Sequence, residues 1–538
     1  MTPRAIWSRN LAIFSVLGVV CGCPGTVGNI GGPGSGGASG TGGQATGGGG
    51  TTGSGGAAGG ATGSGGTTSA GGATGSGGGT GGSGTGTGGR TATGGTTGSG
   101  GTPGTGGSSP PDAGPPVGNC PGSCSNATVG SCSAPMVRVT SVPIGMTLSY
   151  STDETLVVPL AIAAKPGGGS RLAWVGNYVR YASSTTSNVY VGELDCNDQL
   201  VGTPFHFPGH DFQDVAADGD GGVVVVTRDS AGGPDAQHCG DVNNLCVLPS
   251  DRPGCYDMFM VRYDCAGTEQ WATKLTTASA TAPGYTSGGG NNLFVWWYQH
   301  HGRIAYDGTN YATYFADAIT VTNNQCPAGA GRVDIHEGDR MQVVGPTGAP
   351  VAGHDSFGIG CSHSWTTRMV WDPRTKHFVM VCATDNPDNN NACRIAQPNP
   401  YRTVAGGACD GTLFGGDIVN AGTTGYWTAW SRGNVIRLEH FTTGASDQTV
   451  TTAGTSQNPH LVSYGASRML LTWKSGTGMA AQVYDSSTGA PVGAQFTIAV
   501  PDHPWQSWKA FPDGSVAYAG VSAASSTVQV ARVMPCTP

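Results

Sequence analysis

The sequence has few charges, no long apolar run and no sustained helical periodicity. Only 11% of its 538 residues are charged, and acidic residues outnumber basic ones, which gives a net charge of −8. No basic patch is visible, so nucleic acid is not expected as a partner. No apolar run approaches the ~20 residues that span a bilayer, which excludes a polytopic membrane protein. What remains is a chain of three unequal parts.

The first part, residues 1–22, has the features of an export signal. Two arginines precede an apolar run at residues 11–20, which is too short for a stable membrane-spanning helix. A Val-Cys-Gly-Cys sequence at residues 20–23 resembles the lipobox of bacterial lipoproteins. The resemblance implies a lipid on Cys23, and the Pro24 that follows implies an outer-membrane location facing the periplasm or the cell exterior. The alternative is an ordinary cleaved signal on a secreted protein.

Residues 23–118 are rich in glycine, serine and threonine and carry almost no charge. Such a chain cannot bury enough apolar surface to offset the entropy of ordering it, so we expect a disordered tether. A flexible coil of this length would span on the order of 55 Å. It would connect a lipid anchor in the membrane to a folded domain.

The sixteen cysteines suit an exported protein. Two fall at the end of the signal, and the even number that remains predicts disulfides. We expect Cys382 to pair with Cys393 across a polar loop, and at least one pair to form among the cysteines of residues 239–255. Zinc binding explains these cysteines less well than disulfides do, because no paired C-x-x-C motifs are present. Residues 119–135 hold further cysteines and form a lead-in to the third part.

The third part, residues 136–538, contains short runs of β-branched and aromatic residues separated by glycine, asparagine, aspartate and proline, a pattern typical of strands and turns. An apolar run, a tight turn and a second apolar run recur seven times, each followed by a further strand. This predicts an all-β fold, a β-propeller of seven four-stranded blades, because small sheets bury their faces by closing into a ring. Six or eight blades stay open, since the fifth copy is weak. We expect residues 136–142 to supply the missing outer strand of the last blade.

Two segments of this part, residues 215–227 and 257–271, resemble the repeats of bacterial extracellular β-propellers. The resemblance covers these segments well and the rest of the domain loosely. It implies the fold and an extracellular location, and it implies no specific activity.

Histidine and tryptophan residues cluster just before the predicted innermost strands. Because the innermost strands of a propeller begin at one face of the ring, these residues are expected to converge at the mouth of its channel. We predict a ligand-binding face made of His210, Asp211, His300, His301, His363, Trp365, His460, His503, Trp505 and Trp508. Two further residues, His336 and Glu337, fall in a long loop of the same face.

Three interpretations of this face stay open. The first is non-catalytic recognition of a glycan, peptide or small molecule, with tryptophans as stacking surfaces. The second is a metal-dependent lyase, hydrolase or oxidoreductase that uses Zn, Cu or Fe. Its metal ligands would be His300, His301, His336, Glu337 and His363. The third is that the histidines line a wet channel and bond only to water and backbone.

Overall fold

The computed structural model describes residues 124, 129–148, 160–176, 188–209, 211–229, 256–276, 292–294, 302–322, 333–358, 360–361, 366–385, 392–398, 400–408, 414–432, 435–452, 458–522 and 524–537. The chain divides into two units, and these residues all belong to the unit made of residues 1–32 and 113–538. The expected signal, the Cys23 lipidation site and the expected tether lie outside the described residues. A helix long and apolar enough to cross a membrane is not found in the described ranges.

Seven four-stranded sheets form in the described part of the chain, which confirms the predicted seven-bladed β-propeller. Two strands precede the first blade, namely β1 (Gly130–Ser131) and β2 (Val137–Pro143). Blade 1 consists of β3 (Leu160–Ala164), β4 (Ser170–Gly176), β5 (Asn188–Leu194) and β6 (Leu200–Pro208). Blade 2 consists of β7 (Asp211–Asp218), β8 (Gly221–Asp229), β9 (Tyr256–Asp264) and β10 (Glu269–Lys274).

The next three blades follow in chain order. Blade 3 consists of β11 (Asn292–Phe294), β12 (Arg303–Tyr306), β13 (Tyr311–Thr322) and β14 (Val333–Val344). Blade 4 consists of β15 (Thr366–Asp372), β16 (His377–Asp385), β17 (Ala392–Gln397) and β18 (Arg402–Ala408). Blade 5 consists of β19 (Phe414–Asn420), β20 (Tyr426–Arg432), β21 (Val435–Phe441) and β22 (Gln448–Thr452).

The last two blades complete the ring. Blade 6 consists of β23 (His460–Tyr464), β24 (Arg468–Ser475), β25 (Gly478–Asp485) and β26 (Pro491–Ile498). Blade 7 consists of β27 (Lys509–Ala510), β28 (Val516–Gly520), β29 (Thr527–Val533) and β2, and β30 (Cys536–Thr537) follows it. Contacts between neighbouring blades run mainly through β3, β7, β12, β15, β19, β23 and β27, which are therefore the innermost strands.

The ring closes as the sequence predicts. β2 pairs with β29 in antiparallel register from Val137 opposite Val533 to Pro143 opposite Thr527. It thereby covers the edge that β29 would otherwise expose. β1 also pairs with β30, in parallel.

Blade 3 departs from the regular plan. Its β13 and β14 are twelve residues long, and β11 pairs with the far end of β13. The outer position beside β14 is held by isolated bridges, which join Val344 to Pro350 and Met341 to Phe357.

The core lies between the blades. Each of seven apolar clusters in the described chain fills one of the seven interfaces between neighbouring blades. The valine run in β8 shows the cause, because successive side chains of a strand point to opposite faces. Val224 and Val226 pack against blade 1, and Val223 and Val225 pack against blade 3. A strand buried on both faces therefore needs a continuous apolar run.

Disulfides between described residues join Cys124 to Cys196, Cys132 to Cys536 and Cys361 to Cys382. The expected Cys382–Cys393 pair is therefore wrong. The register of β16 and β17 explains the error, because it sets Cys382 opposite Ala396 and Cys393 opposite Asp385. Cys393 is itself disulfide-bonded. The pair expected among residues 239–255 lies outside the described residues.

Candidate functional site

The two faces of the ring carry very different connections. The innermost strands begin at one face, here named the loop face, and end at the other, the turn face. Turn-face connections are short, such as residues 219–220 between β7 and β8 or residues 465–467 between β23 and β24. At the loop face, residues 230–255 connect β8 to β9, residues 275–291 connect β10 to β11, and residues 323–332 connect β13 to β14. The two longest of these connections, residues 230–255 and 275–291, therefore begin in blade 2 at the loop face.

Most of the predicted site residues belong to loop-face connections. Those outside the described residues are His210, His300, His301, His363 and Trp365. For three more, the structure gives the backbone alone. Asp211 begins β7. The expected loop position of His336 and Glu337 is wrong, because β13 and β14 pair over twelve residues and set both on β14, opposite Ile319 and Ala318. The ligand-binding and metal-binding roles of all eight stay predictions.

His460 begins β23 and is fully buried between two carboxylates. Its Nε2 lies 2.9 Å from Oδ1 of Asp502, and its Nδ1 lies 3.8 Å from Oδ2 of Asp417. Burial alone favours the neutral ring, but the two carboxylates outweigh burial and raise the pKa of His460. This imidazole is therefore part of an internal charge network and does not face solvent.

Residues 502–508, which lead into β27, contact side chains of inner strands from other blades. The carbonyl oxygen of Trp505 accepts a hydrogen bond of 2.9 Å from Arg303 Nη2. The carbonyl oxygen of Pro504 accepts one of 3.3 Å from Arg368 Nη2. Because the segment precedes blade 7 and the two arginines belong to blades 3 and 4, these bonds reach across the ring.

The side chains of this segment point into the protein to different degrees. His503 is buried, its Nε2 donates to the carbonyl oxygen of Val521 at 2.9 Å, and burial lowers the pKa of the ring. Trp508 is also buried, and its indole nitrogen donates to Thr472 Oγ1 at 2.9 Å. Trp505 is half-buried. Of these aromatic rings, Trp508 is core and offers no exposed surface for stacking.

Ion pairs at the inner strands were missed by sequence reasoning. Lys509 Nζ of blade 7 lies 2.5 Å from Asp214 Oδ2 of blade 2. Asp417 Oδ1 of blade 5 lies 3.2 Å from Arg368 Nε and 3.7 Å from Arg303 Nε. We name these five residues, His460 and residues 502–508 the hub.

A sequence signal for the hub did exist. Its charged side chains from the inner strands occupy one equivalent position of the repeats, as Arg303-Ile-Ala-Tyr-Asp and Arg368-Met-Val-Trp-Asp show. The same position holds Asp214, Asp417, His460 and Lys509 in four other blades. A column of charged residues of both signs around a ring indicates side chains that meet near the axis.

The pKa values of hub residues depend on burial and on these contacts. Burial would raise the pKa of Asp417, but the neighbouring His460 ring and the two guanidinium groups outweigh it and lower the pKa to about 2. Burial lowers the pKa of Arg368 to about 9, and Arg303 nearby acts in the same direction. The hub is thus a set of charges that depend on one another.

A separate buried carboxyl, Asp339, lies on β14 beside the Cys361–Cys382 disulfide. Its oxygens accept hydrogen bonds from the backbone nitrogens of Gly360 at 2.9 Å and Cys361 at 2.6 Å, and from the Tyr314 hydroxyl. Burial outweighs these bonds and raises the pKa of Asp339 to about 7.

This group has the spacing of a metal site, since a carboxylate oxygen of Asp339 and both sulfurs lie within 4.8 Å of one another. The sulfurs are joined to each other, however, and the thiolate is the form that binds metal. Among the described residues it is the one cluster of this kind.

Asp317 on β13 is buried, and neither carboxylate oxygen has a hydrogen-bond partner. Burial raises the pKa of Asp317 well above its usual range. Buried polar groups are normally satisfied, so an unsatisfied carboxyl marks a place where water or a ligand is expected.

Solved β-propellers resemble this chain at low identity. The WD40 domain of Toxoplasma gondii coronin matches at 10% identity and a TM-score of 0.38, covering 76% of this chain and 90% of that one. The GH93 α-L-arabinofuranosidase of Fusarium graminearum with arabinobiose matches at 11% identity and a TM-score of 0.36, covering 74% and 98%. The Dos1 propeller matches at 8% identity and a TM-score of 0.36, covering 73% and 97%. No protein-family model and no curated protein matches the chain.

Proposed function

We propose that the protein is a lipid-anchored surface protein whose propeller binds an extracellular glycan, peptide or small molecule at the loop face. The observation that carries this proposal is the contrast between the faces. The loop face bears the long connections of blades 2 and 3, whereas the turn face bears short turns. Binding residues concentrate on connections that a rigid scaffold positions.

The disulfides that join the lead-in to the ring also support a binding site at the loop face. Cys124 of the lead-in is bonded to Cys196, which lies between β5 and β6 at the turn face. Cys132 is bonded to Cys536, which follows β29 at the same face. A propeller held from its turn face presents its loop face away from the point of attachment. With a lipid on Cys23, the attachment would be to the outer membrane, and the ligand would come from the periplasm or the cell exterior.

The filled hub favours binding on the loop face over passage through a channel. Residues 502–508 are fixed by hydrogen bonds from Arg303 and Arg368, so they provide a rigid floor beneath the loop-face connections. The half-buried ring of Trp505 belongs to this floor. Asp317, the seventh of the twelve residues of β13 in blade 3, adds a buried carboxyl group without a hydrogen-bond partner.

A binding screen with matched variants tests the proposal. The full chain is applied to a panel of extracellular glycans and peptides, and hits are titrated with a His363→Ala/Trp365→Ala variant. Tyr401→Ala is the control, because Tyr401 is an exposed aromatic residue between β17 and β18 on the turn face. We expect the loop-face variant to weaken binding about tenfold or more, and the control to bind as the wild type does. Equal losses in both variants, or unchanged affinity in the loop-face variant, would contradict a site at the loop face.

Two further measurements address the anchor and the competing enzymatic interpretation. A Cys23→Ser variant is expected to be lost from the membrane fraction and, in detergent phase separation, to move from the detergent phase to the aqueous phase. Elemental analysis of the same preparations checks for Zn, Cu and Fe. A stoichiometric transition metal that is lost in a His300→Ala/His363→Ala variant would replace the recognition proposal with a metal-dependent enzyme.

A further inference from the structure

Blade 7 is built from two distant stretches of chain, and its closing strand is a weak point. β2 is bonded to the sheet along one edge alone, through β29. A pull on the chain before β2 would act first on the pair of Val137 and Val533, the end of the ladder nearest the lead-in. When a load acts across an antiparallel ladder at one end, the hydrogen-bonded pairs separate one at a time. Separation in this way requires less force than sliding one strand along the other.

The Cys132–Cys536 bridge lies at that same end. Cys132 precedes β2 and Cys536 follows β29, so the bridge holds together the two strand ends that would separate first. Around it, Gly130 pairs with Cys536, and the Met534 nitrogen donates to the carbonyl oxygen of Met136 at 2.9 Å. The loop that this bridge closes has a sequence separation of 404, so it contains nearly the whole propeller.

The Cys124–Cys196 bridge offers a second route for the same load. Cys124 is the first described residue, and its nitrogen donates to the carbonyl oxygen of Gly167 at 3.0 Å in a turn of blade 1. A pull that arrives at Cys124 passes through the bridge into the turn after β5. Residues 125–195, which include all of β2, are then bypassed.

We infer that the lead-in is a double covalent clamp, in which either bridge alone keeps tension from the tether off the closing strand β2. Blade 1 receives the load through one bridge and the end of blade 7 through the other. The inference rests on the proposed anchoring for the direction of the pull. The clamp therefore belongs to a protein that binds at one face while it is held from the other.

Single-molecule pulling on the full chain tests the clamp. Azide-bearing residues introduced at Ser123 and Ala466 attach the handles. Ser123 directly precedes Cys124, and Ala466 is exposed on the turn face, where β2 begins, so the load acts across the start of the β2–β29 ladder. Every molecule carries Cys120→Ser, so that no upstream cysteine can take the load. The variants are Cys132→Ser/Cys536→Ser, Cys124→Ser/Cys196→Ser, the combination of both, and Cys361→Ser/Cys382→Ser as a control bridge away from the load path.

We expect that the loss of both bridges lowers the first rupture force, whereas the loss of either bridge alone does not. Each single-pair variant and the control keep the first rupture force of the reference protein. The combined variant ruptures first at about half that force or less, and the event releases residues 124–143, roughly 70 Å of chain. A low-force event in either single-pair variant, or an unchanged first rupture in the combined variant, would overturn the inference.

If the combined variant does not fold, the reference protein is folded in its oxidised form, held under tension and reduced with a phosphine. Lengthening by the same roughly 70 Å must then follow. A reduced molecule that keeps its length at the force that peels an unclamped strand also overturns the inference. Neither readout involves ligand or lipid, so a failed clamp leaves the proposed function intact, and loss of ligand binding leaves the clamp intact.

Discussion

The contact between blades 7 and 1, here named the seam, and the hub both bury charged groups, but they hold them in different ways. At the seam, the buried Asp198 accepts hydrogen bonds from Arg532 Nη2 at 2.6 Å and from Arg138 Nη2 at 2.7 Å. The Arg532 guanidinium also lies 4.0 Å from the centre of the Phe511 ring. At the hub, the contacts of Asp417 with its cationic neighbours are 3.2 to 3.8 Å long.

The difference follows from what positions each group. Arg138 and Arg532 lie on β2 and β29, directly opposite each other in register, so one carboxylate between them can meet both. The inner-strand residues of the hub come from six different blades, and no shared ladder sets their distances. Register gives Asp198 short contacts with two arginines, one of them bidentate. Around Asp417, convergence at the axis gives longer contacts, and residues 502–508 supply extra groups. The short Lys509–Asp214 contact of the hub, at 2.5 Å, joins one cation to one carboxylate. We therefore expect the seam to contribute more stability per charge than the hub.

The largest expected effect is at the seam. Arg532→Met leaves the Asp198 carboxylate buried without its bidentate partner, and removal of one partner of a buried pair costs about 3–5 kcal/mol. Urea denaturation of the wild type and the variant measures the change in the free energy of unfolding. Arg394→Met serves as the control, because Arg394 on β17 is half-buried and stacks on the exposed Tyr401 ring. A loss below about 1 kcal/mol would put the seam on a level with surface pairs and remove the contrast with the hub.

At the hub, the expected effect depends on pH. His460→Gln keeps a polar group beside Asp502 but removes the positive charge. The folded-state pKa of His460 is raised, so its contribution is complete below the unfolded value of about 6.5 and is lost as pH rises through the folded value. At pH 5.5 we expect the free energy of unfolding of the wild type to exceed that of the variant by about 1.5–3 kcal/mol, the range for hydrogen bonds to charged groups.

The pH series supplies its own test. Urea midpoints are measured from pH 5.5 to pH 9, and the gap between wild type and variant should narrow towards alkaline pH. Thr477→Ala, which changes an exposed residue without charge, should show no such trend. A gap that stays constant over the whole range would mean that the His460 charge is not part of the hub.

The fold was predictable because its determinants are local and repeated. The strand-turn-strand unit recurs seven times, and the continuous valines of β8 indicate a strand covered on both faces. The closing role of residues 136–142 followed from counting strands, since the seventh unit lacked one. These features need no knowledge of which blades touch across the ring.

The site was harder to predict, because its features depend on contacts between distant residues. His460 and Trp508 precede or begin inner strands as expected, yet both are buried, since residues 502–508 fold into the hub and supply Asp502. The Cys361–Cys382 bridge depends on how the segment before blade 4 lies against β16, which no spacing reveals. The repeated charged position was visible in the sequence. The contacts between these residues near the axis could be inferred only from the geometry of the ring.

The smallest expected effect separates the two arginines of the seam. The Arg138 side chain is 30% exposed, whereas that of Arg532 is 5% exposed, and both contact the same carboxylate. With Arg532 still in place, Arg138→Met leaves Asp198 paired, so we expect a loss of about 1 kcal/mol or less. Urea denaturation in low salt and in about 0.5 M salt should show this loss shrinking, because an exposed partner is screened. A loss equal to that of Arg532→Met would mean that Asp198 needs both arginines, and that burial of the partner does not decide the strength of the seam.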